Sequence, residues 1–145
     1  MQQIQVGWWM MVYFDTNVLI YAFSKNIDDQ RQKDISVKLL GEAIENESLI
    51  LSELILCEFA FISNKLKENK EEIDDNLEFL SEYLKPTDVS IHQRMLEILK
   101  ETSLYISSFD VYHLAFSEYY NAKLITFDKG FKKLKKLSKI ELVLE

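Results

Sequence analysis

Two apolar runs, MVYF at Met11–Phe14 and LITF at Leu124–Phe127, each end directly on an aspartate, Asp15 and Asp128. This repeated arrangement constrains the chain more than any other feature. A continuous apolar run suits a strand buried on both faces, as strands are in a parallel sheet. A charge placed directly after it leaves the core at the carboxyl end of the strand. In open α/β sheets, that is the edge where ligands bind.

The segments between the two runs alternate helical and extended patterns. Thr16–Ser24 reads as a helix start, and Asp29–Glu45 carries Ile35, Leu39, Leu40, Ala43 and Ile44 at helical spacing. Leu49–Leu51 is a short apolar strand. Ser52 is placed to cap a helix running to about Glu68, with Leu56, Phe59, Ala60 and Ser63 on one face. Glu71–Leu84 is predicted helical and is ended by Pro86. Thr87–Val89 reads as a further short strand and Ile91–Thr102 as a helix. A helix from Ser107 or Ser108 turns Val111, Leu114, Ala115 and Tyr119 inward, and Lys123–Phe127 follows as a strand. Phe131–Leu137 reads as a short basic helix and Ile140–Leu144 as a final strand. The expected fold is α/β: a mostly parallel sheet of four to five strands with helices on both faces. The length of 145 residues fits a single domain, with residues 1–10 an extension ahead of the first strand.

Two further acids fall near helix starts. Asp110, in SSFDVYHLAF, lies in a first turn, where an acid also favours the helix dipole. Glu58, in SELILCEFAF, sits well inside an otherwise apolar helix, where a carboxylate is rarely buried unpaired. Taken singly, Asp15 reads equally as a helix cap and Asp128 as a turn residue. Taken together, the four imply a shared site. Two carboxylates about 4 Å apart repel by roughly 4 kcal/mol at an effective dielectric near 20, a cost relieved by protons or cations. Oxygen-only ligands favour Mg²⁺ or Mn²⁺, ions that activate water for displacement at phosphorus.

Charge and composition remove other classes. The net charge of −7 argues against a general polyanion-binding surface. Its distribution is uneven, however: six lysines face two acids from residue 129 onward, against eleven basic and twenty-two acidic residues before it. The strip KGFKKLKKLSK reads as a solvated helix face or as a phosphate contact, with Lys129, Lys132, Lys133 and Lys136 as candidates. A single cysteine, Cys57, permits no intrachain disulfide and no cysteine metal cluster, and points to a reducing, cytoplasmic setting. The opening residues lack the features of a signal peptide, and no apolar run is long enough to span a membrane. Three glycines leave no GxGxxG and no P-loop. A Ser-His-Asp triad has only His92 and His113 available, both read as surface or packing residues.

The stretches FDTNVLIYAF, SELILCEF and FDVYHLAFSEYYNAKLITFDKGF, in that order, resemble the PIN-domain family of metal-dependent nucleases, and within it the VapC-type toxins. The resemblance extends from about Met11 to Leu144. It implies a Rossmann-like three-layer sandwich with Asp15, Glu58, Asp110 and Asp128 around Mg²⁺ or Mn²⁺. Thr16, Asn17 and Thr126 take positions of polar residues that orient ligands or water. It further implies an RNA substrate cut to a 5′-phosphate and 3′-hydroxyl, a homodimer, and a small antitoxin protein lying in an apolar groove. Phe59, Phe61 and Phe79 are groove candidates, Phe59 being read rather as core. The acidic body and the extension containing Trp8 and Trp9 depart from the pattern. A haloacid-dehalogenase-type phosphatase needs an acid two residues after the first aspartate, where this chain has Asn17, and a receiver domain needs an acidic pair that is missing. A housekeeping nuclease acting on RNA or DNA, and a non-catalytic protein-binding scaffold, remain as alternatives.

Overall fold

The computed structural model describes residues 10–102, 107–133 and 142–144. Strand β1 (Met11–Phe14) leads into helices α1 (Thr16–Phe23) and α2 (Gln30–Glu45). Strand β2 (Leu49–Ile50) is followed by α3 (Glu53–Lys65), α4 (Lys70–Ser81), α5 (Val89–Glu101) and α6 (Ser108–Tyr119). Strand β3 (Ala122–Thr126), a 3₁₀ turn (Lys129–Lys133) and strand β4 (Leu142–Leu144) complete the order. Asp15, Asp29, Ser52, Asn69, Asp88 and Ser107 each accept a backbone N–H at the start of the helix they precede. The side-chain oxygens thereby satisfy donors that have no partner within the helix. At the other end of α1, Lys33 Nζ donates to the carbonyls of Tyr21, Ala22 and Ser24 at 3.2, 3.3 and 2.9 Å. That cation sits against the negative pole of the helix.

The sheet is parallel throughout, in the order β2-β1-β3-β4. Met11 pairs with Ala122 and Phe14 with Ile125, so β1 and β3 run side by side at the centre and end at one edge. Tyr13 and Phe14 point to opposite faces of β1, and both are 0% exposed. Both faces of the sheet are therefore covered, the three-layer arrangement expected. On the Tyr13 face lies α6, whose Phe116 ring sits 4.6 Å from that of Tyr13. Helix α6 is buried continuously from Val111 to Ser117. Among the described residues, no helix is long and apolar enough to cross a membrane.

Four local expectations are corrected. Thr87–Val89 is not a strand: Asp88 caps α5, and Val89 is already its first residue. The extended pairing falls earlier, where Leu51 N–H donates to Tyr83 O and Lys85 N–H to Leu51 O, each at 2.9 Å. That pairing also ends α4 at Ser81, short of Leu84. Tyr119 is exposed rather than inward, lying beyond the buried run of α6 that ends at Ser117. The stretch expected to be a helix from Phe131 begins instead as the 3₁₀ turn at Lys129, and its residues from Leu134 lie outside the described ones. Residues 1–9, with Trp8 and Trp9, also lie outside them.

Candidate active site

Asp15 and Asp128 leave the carboxyl ends of the two central strands, and one side chain connects them. Thr126, fully buried, donates through Oγ1 to Asp15 Oδ2 at 2.7 Å and accepts the Asp128 N–H at 2.9 Å. The other oxygen of Asp15 accepts the Thr16 N–H at 2.8 Å. Thr16 also reaches outward, its Oγ1 donating to Glu58 Oε1 at 2.8 Å. Asn17 Oδ1 accepts the Phe127 N–H at 3.3 Å. Thr16 and Thr126 thus join the Asp15 and Glu58 carboxylates and hold the backbone at Asp128, while Asn17 holds the backbone at Phe127. Asp15 and Asp128 keep their structural roles as well, as a helix cap and as a turn residue accepting the Gly130 N–H at 2.8 Å. A Cβ at residue 130 would stand 2.9 Å from Asp128 Oδ1, so this turn suits glycine.

The electrostatics tie in the fourth acid. Burial raises the Asp110 carboxyl above its ordinary range, and the negative charges of Asp128, Asp15 and Glu58 raise it further. Burial likewise pushes Asp15 up, against the field of His113 and the bonds from Thr126 and Thr16. Burial works in the same direction on Glu58, but hydrogen bonding and charge from His113, with the Thr16 bond, hold it below the usual range. The Asp110 carboxyl therefore feels the charges of the other three acids, and Asp15 feels that of Glu58. Among the described residues, no three His, Cys, Asp or Glu side chains are drawn close enough to hold an ion unaided. The donor set is all oxygen and its charges are mutually unfavourable, which fits a hard divalent cation with water completing its shell.

Lys129, Lys132 and Lys133 follow Asp128 directly and are exposed, while Lys136 lies outside the described residues. Beside Glu58 opens a groove of about 850 Å³ lined mainly by Leu54, Phe61, Ile62, Leu66 and Phe109. Phe61 is 68% exposed there, whereas Phe59 is 1% exposed and belongs to the core. Phe79 lies apart, packed on Phe23 and Tyr83.

The sequence reading missed His113. It is neither a surface residue nor simple packing: it is 2% exposed and hydrogen-bonds Glu58 Oε1 at 3.1 Å and Tyr13 Oη at 2.7 Å. The available signal was spacing. His113 follows Asp110 by three residues, which puts both on one helical face. Tyr13 precedes Asp15 by two, which puts it on the same side of the strand.

Thr126→Val tests the link between the two aspartates. The substitution keeps the shape but removes both a donor and an acceptor in a buried position. It is expected to cost about 1–3 kcal/mol of stability in urea unfolding, with Thr126→Ser close to wild type.

Comparison with known proteins agrees with this architecture. A family model described as the PIN domain matches residues 12–137. No curated protein matches the chain by sequence. Among solved structures, the chain is similar to one in VapBC2 from Rickettsia felis bound to a DNA fragment from its promoter. The identity is 20%, the coverage is 94% of this chain and 99% of that one, and the TM-score is 0.66. FitAcB from Neisseria gonorrhoeae gives 19% identity, coverage of 92% and 96%, and a TM-score of 0.68. A toxin–antitoxin complex from Klebsiella pneumoniae gives 22%, coverage of 83% and 89%, and 0.59. With a family model covering most of its length and a matching architecture, the chain belongs to the PIN domain family.

Proposed function

We propose that this chain is a metal-dependent endoribonuclease and the toxin of a type II toxin–antitoxin pair. One observation carries the catalytic part: at the carboxyl edge of the sheet, Thr126 bonds the Asp15 carboxylate and the Asp128 backbone while Thr16 bonds Asp15 and Glu58, and the Asp110 carboxyl, raised by burial, also feels the charges of Asp128, Asp15 and Glu58. Asp15 and Asp110 are the principal ligands for Mg²⁺ or Mn²⁺, with Glu58 and Asp128 completing the set. When bound, such an ion supplies an activated water and neutralises charge developing on the phosphate. Thr16 and Thr126 keep the carboxylates oriented by donating to Glu58 and Asp15. Lys129, Lys132, Lys133 and Lys136 hold flanking phosphates of the RNA, which reconciles an acidic protein with a polyanionic substrate.

The toxin assignment rests on the similar structures, one described as a toxin–antitoxin complex and others as VapBC2 and FitAcB. The groove beside Glu58 is apolar enough to take a segment of a small antitoxin, and a homodimer is the expected assembly. The cytoplasm is the expected compartment, from the single cysteine.

The test is incubation of the purified, antitoxin-free protein with mixed RNA and, separately, DNA, in Mg²⁺ or Mn²⁺ and in EDTA. Metal-dependent fragments ending in 5′-phosphate are expected from RNA. Cutting confined to DNA would make it a DNA nuclease of the same fold. Silence of the folded, metal-supplied protein on both would favour a non-catalytic binding scaffold.

A further inference from the structure

Behind Glu58 lies a buried polar chain that the four-acid site does not require. Ser52 Oγ accepts the Ile55 N–H at 3.2 Å and stands 2.8 Å from Tyr13 Oη. Tyr13 Oη is 2.7 Å from His113 Nδ1, and His113 Nε2 is 3.1 Å from Glu58 Oε1. Tyr13, Ser52 and His113 are all buried, and they come from β1, the cap of α3 and α6. A polar chain of this kind in a core is costly unless every member is satisfied.

The donors and acceptors match along the whole chain. An ionised carboxylate only accepts, so the proton at the Glu58 end must sit on His113 Nε2. With Nδ1 unprotonated, it accepts from the Tyr13 hydroxyl, which accepts from Ser52; with Nδ1 protonated, both bonds reverse, and in either case every member is bonded and the Nε2–H to Glu58 is kept. Glu58 Oε1 receives two donors, His113 Nε2 and Thr16 Oγ1. Both bonds fall on the same oxygen, so they fix the carboxylate plane while Oε2 takes no bond among the described residues.

We propose that His113 is a positioning residue: anchored by Tyr13 and Ser52, it clamps Glu58 Oε1 so that Oε2 is presented to the divalent cation. This deepens the nuclease reading and depends on Glu58 being part of the metal site. Outer partners of this kind are commonly worth about 10–100-fold in metal affinity.

The test is Mn²⁺ affinity of the full chain, read by the electron paramagnetic resonance of free Mn²⁺, with no nucleic acid present. His113→Gln places an amide nitrogen where Nε2 was and keeps the donor to Glu58. His113→Asn reaches only the Nδ1 position, keeping the Tyr13 contact and losing Glu58. Glu58→Gln reports on the site itself. The expected result is about tenfold weaker Mn²⁺ binding for His113→Asn and for Glu58→Gln, with His113→Gln within about threefold of wild type. Loss in Glu58→Gln with no loss in His113→Asn would overturn the positioning role alone, as would equal losses in the two His113 variants. Unchanged affinity in Glu58→Gln would remove Glu58 from the metal site and the proposal with it. Should His113→Asn fail to fold, Tyr13→Phe removes the anchor on Nδ1 and keeps the ring. Mn²⁺ binding weakened severalfold supports the clamp, and unchanged binding overturns it.

Discussion

Asp15→Asn is expected to lower RNA cleavage by at least about 100-fold while leaving the protein folded, with kcat falling more than the affinity for RNA. Asparagine keeps the side-chain shape, and its carbonyl can still accept the Thr16 N–H that starts α1. It lacks the negative charge that the proposed site contributes to a cation. Stability should move the other way. Burial raises the Asp15 carboxyl, so the folded state prefers the protonated form and ionisation costs stability. That cost is absent below the unfolded carboxylate range, near pH 3.9, and accumulates as pH rises toward the raised folded value. The variant should therefore melt at or above wild type at pH 7, with the gain shrinking as pH falls. A variant that lost activity through misfolding would instead melt lower at every pH. Gain of stability on removing a site carboxylate is the signature of strain kept for function.

The largest loss of stability is expected at Phe116. Its ring is 0% exposed and lies between those of Tyr13, Tyr112 and Tyr120, at centroid distances of 4.6, 5.8 and 4.8 Å. Phe116→Ala should cost about 3–5 kcal/mol from lost transfer energy and the cavity left behind. For a chain of this size, that is a fall in melting temperature on the order of 10–15 °C. Differential scanning calorimetry gives the value directly. Less than about 1 kcal/mol would mean that α6 does not pack on β1 as described. Phe116→Leu should recover much of the loss by refilling most of the space.

The parts legible in the sequence were those governed by local pattern. Strand β1 and the aspartate after it could be read because an apolar run that stops on a charge fits a buried strand ending at the edge of a sheet. Ser52 could be read as a cap because it precedes an apolar helical stripe. The four acids could be proposed together because their segments fall at strand ends and early helical turns. Other features depend on distant partners. Tyr13, Ser52 and His113 lie far apart in sequence, and a histidine among apolar residues gives no hint of what it faces. The extended pairing at Tyr83–Lys85 is set by Leu51 on another segment, so local propensity placed it too late in the chain. Tyr119 was misplaced for a related reason. Its spacing from Leu114 and Ala115 fits an inward stripe, but the buried run of α6 ends at Ser117.

The pairing of β1 with β3 also has a consequence for how the protein is made. The Thr126–Asp15 bond joins residues 111 positions apart, and the two central strands are brought together over a similar span. Closing so long a loop is entropically expensive and is repaid only once both strands are in place, which makes this topology slow to form. A nascent chain on the ribosome that has not yet emitted Thr126 can form its early helices but has neither a sheet centre nor a linked pair of aspartates. If the proposed nuclease activity holds, such a chain would be inactive throughout most of its own translation, and activity would begin only with a late folding step. The delay leaves an interval in which a binding partner could reach the chain before the site closes.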